Sequence, residues 1–134
     1  MLKDSLDYNE SRLDMALLLL RLGLGVIFIG AGAGKLFGDP GIDGFVGTLQ
    51  SMSFPLPEFF GYIVPIVEFA GGILILAGAF TRLMALFLAV IMLVAFATVK
   101  QFSLEAGQLD IALFFMAVAV MLLGPGNLSI GPKL

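Results

Sequence analysis

Four long apolar runs constrain the fold of this chain more than any other feature of its sequence. They lie near residues 14–37, 59–80, 83–102 and 108–123. A helix needs about 20 apolar residues to cross a bilayer core about 30 Å thick. The chain is also 60% hydrophobic, well above the roughly 45–50% of soluble domains. The sequence therefore predicts an all-α integral membrane protein, a bundle of four transmembrane helices.

Helix-breaking and polar residues separate these runs. The breaks are "GDPGIDG" at 38–44, "FPLPE" at 54–58, "TR" at 81–82 and "GPGN" at 124–127. Residues 42–53 are too short and too polar to cross a membrane, so we interpret them as an interfacial helix or loop between the first two spans. We expect residues 1–134 to form a single membrane domain, in which 1–13 is a cytoplasmic tail and 124–134 a C-terminal tail.

The orientation follows from the distribution of lysine and arginine. Four spans place both termini on the same side of the membrane, and that side is cytoplasmic when it carries more positive charge. The side of the termini carries four cations, Lys3, Arg12, Arg82 and Lys133, whereas the opposite side carries two, Lys35 and Lys100. We therefore expect both termini in the cytoplasm and the protein in the plasma or inner membrane.

Composition excludes several classes of chemistry. The chain has no cysteine and no histidine, which excludes disulfides, iron–sulfur clusters, histidine-ligated haem and zinc sites built on these residues. We expect no metal site and no tightly bound cofactor, so electron chemistry would belong to a bound molecule or a redox partner subunit. The net charge of −3 is scattered without a basic patch, which argues against nucleic-acid binding.

Charged residues inside the spans indicate the candidate site. Arg21 and Lys35 share one face of the first helix and lie about 21 Å apart along its axis. With Arg82 at the inner interface, Glu68 lies roughly 9 Å below the outer one. A charge at that depth is costly unless it is paired, hydrated or protonated. Glu68 is therefore the candidate catalytic residue, as a group that binds or relays a proton.

The direction of helical side chains selects the partner of Glu68. Side chains lean towards the N-terminus of their own helix, so Arg21 and Glu68 lean apart in antiparallel spans. Lys35 and Lys100 lean back towards Glu68. We predict a pair between Lys35 and Glu68, shared with Lys100, in an outer polar pocket that also holds Asp110. Arg21 is the candidate ligand-binding cation of the inner half, or else it extends to the lipid headgroups.

Glycines are expected to bring helices together. Gly30, Gly34 and Gly38 are spaced by four residues, and Gly71, Gly72 and Gly78 lie near Glu68. Such small residues let helix backbones approach closely in lipid. Residues 25–36 also align with residues 72–83, either as the remnant of an inverted repeat or by chance.

Three segments resemble the DoxX family of small four-helix membrane proteins. They are "RLGLGVIFIGAGAGKLFG" from Arg21, "EFAGGILILAGAFTRL" from Glu68 and "LLGPGNLSI" from Leu122. The resemblance covers residues 16–130 and implies an accessory or quinone-linked part of a membrane oxidoreductase system. The chain departs from the family pattern at Lys100 and Ile130, where relatives often carry histidine and aspartate.

Three functions are consistent with this pattern. The first is a DoxX-like membrane subunit that docks a quinone or a redox partner at the pocket of Lys35, Glu68, Lys100 and Asp110. The second is a small-molecule or ion carrier, which would favour a homo-oligomer built on the glycine faces. The third is a structural assembly subunit whose intramembrane charges fix the register of the helices.

Overall fold

The part of the chain that the structure describes folds into five α-helices and contains no strands. The structure is a computed structural model, and it describes residues 2–130, with side chains from Glu10 onward. The helices are α1 (Leu2–Phe37), α2 (Gly41–Ser51), α3 (Pro57–Ala77), α4 (Thr81–Thr98) and α5 (Gln108–Leu123).

The lengths and surfaces of these helices suit a bilayer. Among the described residues, Glu10–Phe37, Pro57–Ala77 and Thr81–Thr98 are long and apolar enough to cross a membrane. The fourth apolar helix, α5, has 16 residues. Large apolar side chains such as Val26 and Phe115 are exposed on the outside of the bundle, where lipid rather than water is the favourable neighbour. The prediction of an all-α membrane bundle is confirmed.

Helix boundaries differ from the predicted ones at α1 and α4. Helix α1 begins at Leu2, so most of the segment predicted as a tail is helical and continuous with the helix of the first span, because extending an existing helix is far less costly than starting one. Helix α4 ends at Thr98, four residues before the predicted end of its span. The predicted interfacial segment is helical, as α2. The side chains of Lys3 and Lys133, used to predict the orientation, lie outside the described residues.

Glycines with a positive φ angle end two of the helices. Gly78 has φ +86° and ends α3, and its N–H donates to the carbonyls of Leu74 and Ile75 at 2.8 and 3.1 Å. Gly124 has φ +81° and follows α5, and its N–H donates to the carbonyl of Val120 at 2.7 Å. Only glycine adopts this conformation without a steric penalty.

The four long helices surround one core in the cyclic order α1, α3, α4, α5. The most extensive contacts join α1 to α3 and α4 to α5. Leu24, Ile75 and Leu88 are completely buried at the centre. Helix α2 packs against α1 and α3 at what we call the Lys35 end of the bundle. The opposite end, which carries the turn between α3 and α4, is called the Arg21 end.

Close packing of α1 against α3 depends on glycines that differ partly from those predicted. A Cβ atom on Gly32 would lie 2.5 Å from the backbone nitrogen of Phe69, and one on Gly72 would lie 2.9 Å from the carbonyl oxygen of Gly25. By contrast, Gly30 and Gly34 face open space. Within the described part of this chain, Gly30 and Gly34 therefore join no helices, because α1 turns the nearly opposite face, that of Gly25 and Gly32, towards α3.

Candidate functional site

An ion pair joins α1 to α3 at the Lys35 end of the bundle. The Nζ atom of Lys35 lies 2.7 Å from Oε1 of Glu68, and the side chains are 32% and 1% exposed. The tight contact between Gly32 and Phe69 lies within one helical turn of both residues, so it holds them at the same height. The predicted pair of Lys35 with Glu68 is confirmed.

A second, looser pair lies between the end of α4 and the first turn of α5. The Nζ atom of Lys100 is 4.0 Å from Oδ2 of Asp110, and Asp110 is buried. Within the described residues, Lys100 pairs with Asp110 and forms no salt bridge to Glu68. The expectation that Lys100 shares the pair of Lys35 and Glu68 is therefore wrong, because Asp110 is the nearer carboxylate.

A cavity of about 550 Å³ brings these four charged residues together. Its volume falls within the range of about 300–1,000 Å³ that is typical of small-molecule sites. All five helices contribute to the wall. The remaining wall is mainly apolar and aromatic, and includes Phe28, Phe45, Phe54, Phe60, Val64, Ile91 and Leu113.

Polar and apolar groups occupy different depths of the cavity. On α1, the lining residues extend from Ile27 to Lys35, and on α4 from Val90 to Thr98. Eight residues of helix correspond to about 12 Å. The charged groups lie at the Lys35 end, and the deeper wall towards the core is apolar. The cavity therefore suits an elongated ligand with one polar end and an apolar body.

The electrostatics of the cavity favour a neutral ligand. Two cations and two anions line it, so their formal charges cancel. Lys35 has three N–H donors, of which one is directed at Glu68, and its Nζ atom also lies 4.8 Å from the ring centroid of Phe45. The remaining donors can bind a ligand oxygen. Within the described residues, no group of three or more acidic side chains is placed to hold a metal ion.

Arg21 lies at the other end of the bundle, away from the residues that line this cavity. Its side chain is buried and donates to the carbonyls of Ile75 and Leu76 in the last turn of α3, at 3.0 Å each. It also donates to the carbonyls of Pro125 and Leu128, at 3.0 and 2.7 Å. Arg21 neither extends to headgroups nor joins the ligand site in this arrangement, so both predicted roles give way to a structural one.

The contribution of α2 to the cavity was not predicted. Phe45, Thr48 and Leu49 line the wall, and Phe54 follows from the segment after α2. The spacing of Phe45 and Leu49 by four residues places them on one helix face. That spacing was the available signal that α2 packs inward on the bundle.

Comparisons with known proteins agree with this architecture. A family model described as DoxX matches residues 16–101, a region that contains Lys35, Glu68 and Lys100 but ends before Asp110. A Bacillus subtilis (strain 168) protein named "Putative oxidoreductase CatD" is 31% identical over 121 residues, which cover 89% of this chain and 87% of that protein.

A second relative is a membrane protein by name. The Escherichia coli (strain K12) "Inner membrane protein YqjF" is 40% identical over 77 residues, which cover 57% of this chain and 55% of that protein. No solved structure matches the chain significantly. The family model spans more than half of the sequence and the first relative aligns along most of both chains, so this helical membrane protein belongs to the DoxX family.

Proposed function

We propose that the chain is a membrane subunit of an oxidoreductase system and that its cavity docks a quinone. The observation that carries this proposal is the pair of the half-buried Lys35 and the buried Glu68 on the wall of a cavity of about 550 Å³. The relative named as an oxidoreductase supports the same class of system. The inner or plasma membrane is the proposed location, in agreement with the name of the second relative.

The residues of the cavity fit a quinone ring. A quinone is flat, neutral and apolar, with carbonyl oxygens that only accept hydrogen bonds. Lys35 has free N–H donors for such an oxygen, and the rings of Phe45, Phe54 and Phe60 offer edge or face contacts. The deeper apolar wall, around Ile27 and Val90, would hold the start of an apolar tail.

Bound quinone would supply two-electron, two-proton chemistry. The redox partner subunit would exchange the electrons, since the chain contains neither cysteine nor histidine. Lys35 would orient the ring by donating to one oxygen. The buried carboxylate of Glu68 would keep Lys35 in place and would hold a proton during exchange with the ring oxygen.

The substitution Glu68→Gln tests this proposal, with Glu105→Gln as the matched control at an exposed loop position. Thermal unfolding in detergent is followed by circular dichroism over a series of decylubiquinone concentrations, since a bound ligand raises the midpoint. We expect the wild type and the control to bind alike and Glu68→Gln to bind about tenfold more weakly, as lost hydrogen bonds to charged groups predict. Equal affinity in all three proteins contradicts the proposal.

A second pair of variants separates binding from folding. Replacing both Lys35 and Glu68 by methionine removes the ion pair without leaving one buried charge alone, which proteins often tolerate. The double variant should fold and should bind decylubiquinone weakly. If decylubiquinone raises the unfolding midpoint of neither the wild type nor any variant, the quinone proposal fails.

A structural role is the alternative favoured by a specific observation, the partly buried ion pair that joins α1 to α3. It predicts that Glu68→Gln lowers the stability of a protein that no ligand stabilises. The carrier is less supported, because the completely buried layer of Leu24, Ile75 and Leu88 lies beyond the floor of the cavity.

A further inference from the structure

Asp110 has a carboxylate oxygen whose hydrogen-bonding capacity is unused. Its Oδ2 atom is buried without a hydrogen-bond partner in the described part of the chain, and the residue is only 9% exposed. Asp110 lines the same cavity as Lys35 and Glu68. A buried acceptor without a donor is costly, so a donor from a ligand would be favourable at this position.

The distance from Asp110 to Lys100 defines what kind of group fits. Oδ2 of Asp110 and Nζ of Lys100 are 4.0 Å apart, which is too long for a direct hydrogen bond. After a small shift of the side chains that cover Oδ2, one oxygen atom placed beside both would lie within about 2.7–2.9 Å of each. Such an oxygen must accept a hydrogen bond from Lys100 and donate one to Asp110.

A hydroxyl group meets both requirements, whereas a carbonyl oxygen meets only the first. Lys35 does not discriminate in this way, because its N–H groups donate to either kind of oxygen. The selective contact is therefore at Asp110, which lies outside the region matched by the family model. The balanced charges of the four side chains leave no reason to favour an ionised ligand.

We propose that the cavity binds the hydroquinone form of its ligand in preference to the quinone form, through a hydroxyl that bridges Lys100 and Asp110. This inference rests on the proposed function, since it specifies which redox form of the same ring is held. In the cycle of the oxidoreductase system, the subunit would then retain the reduced ring rather than the oxidised one.

Isothermal titration calorimetry in oxygen-free detergent solution tests the preference. Duroquinone, durohydroquinone and the dimethyl ether of durohydroquinone are titrated into the wild type. The three compounds share the same methylated ring, and only the hydroquinone has O–H donors. We expect durohydroquinone to bind at least about tenfold more tightly than either of the others, which is the factor expected for one hydrogen bond to a carboxylate.

The variant Asp110→Asn tests whether Asp110 causes the preference for durohydroquinone. An amide both donates and accepts hydrogen bonds, so the difference between durohydroquinone and duroquinone should fall to about twofold or less. Asp43→Asn, an identical exchange at an exposed position of α2, should retain the wild-type preference.

The outcomes for the two proposals are distinct. If the wild type binds duroquinone and durohydroquinone equally, the selectivity is overturned and the proposed quinone site stands. If neither compound binds, both proposals are overturned. The comparison with the dimethyl ether uses only the wild type, so it decides the role of the O–H donor even when Asp110→Asn does not fold.

Discussion

Arg21 shows how one side chain connects parts of the fold that are distant in sequence. Its guanidinium donates to carbonyls in the last turn of α3 and to the carbonyls of Pro125 and Leu128. The last carbonyls of a helix lack intrahelical partners, and in a membrane they cannot rely on water. The sequence identified Arg21 as a costly buried cation. It could not identify the partners, because every residue carries a carbonyl and no motif marks these four.

The substitution Arg21→Lys should lower the free energy of unfolding by about 2–4 kcal/mol, because an ammonium cannot replace the fork of five N–H donors that reaches four carbonyls. Thermal unfolding in detergent measures the loss. Arg82→Lys is the matched control at an exposed position and should change stability by no more than about 0.5 kcal/mol. Comparable losses in the two variants would show that the four carbonyl contacts are not the cause.

At the scale of helices, the crossing of α1 and α3 determines the geometry of the site. The sequence predicted the helices and the pairing of Lys35 with Glu68, since depth and side-chain direction follow from residue number. It did not predict which face of α1 meets α3. A helix that is apolar on all sides gives no periodic signal for its rotation, so Gly32 and Gly30 were indistinguishable until the packing was known.

A pair of alanine substitutions tests this crossing. In Gly32→Ala, the new Cβ meets the backbone of Phe69, so we expect a loss of about 1–3 kcal/mol in the free energy of unfolding from overpacking. In Gly30→Ala, the Cβ enters open space, and stability should be unchanged or slightly raised because alanine favours helix. Thermal unfolding in detergent measures the stability of both variants, and equal midpoints for Gly32→Ala and Gly30→Ala would contradict the packing of Gly32 against α3.

At the scale of the whole molecule, the two ends of the bundle differ in structure: one contains the cavity and the other is closed. The Lys35 end holds the cavity, the two ion pairs and α2. The Arg21 end is closed by the segment after α5, where the N–H of Ile130 donates to the carbonyl of Ala77 at 2.8 Å. This division was predictable only in part: the sequence placed most polar residues of the spans at one end, but a cavity depends on the space left between side chains.

Which end faces the cytoplasm is a prediction from charge that labelling can test. The chain has no cysteine, so Ser11→Cys and Ser103→Cys each introduce a single thiol at an exposed position. With both termini cytoplasmic, a membrane-impermeant maleimide should label Ser103→Cys in intact cells and Ser11→Cys only after permeabilisation. The reverse pattern would invert the orientation and place the cavity at the cytoplasmic side.

The shortness of α5 has a consequence for the surrounding lipid. Its 16 residues extend over about 24 Å, several ångströms less than a typical hydrocarbon core of about 30 Å. A bilayer becomes locally thinner next to a short apolar segment, so it should be thinned beside α5. Because Asp110 lies in the first turn of this helix and lines the cavity, the thinning should bring headgroups and water close to the polar end of the cavity, so that the polar end of a ligand would stay hydrated as it arrives from the lipid.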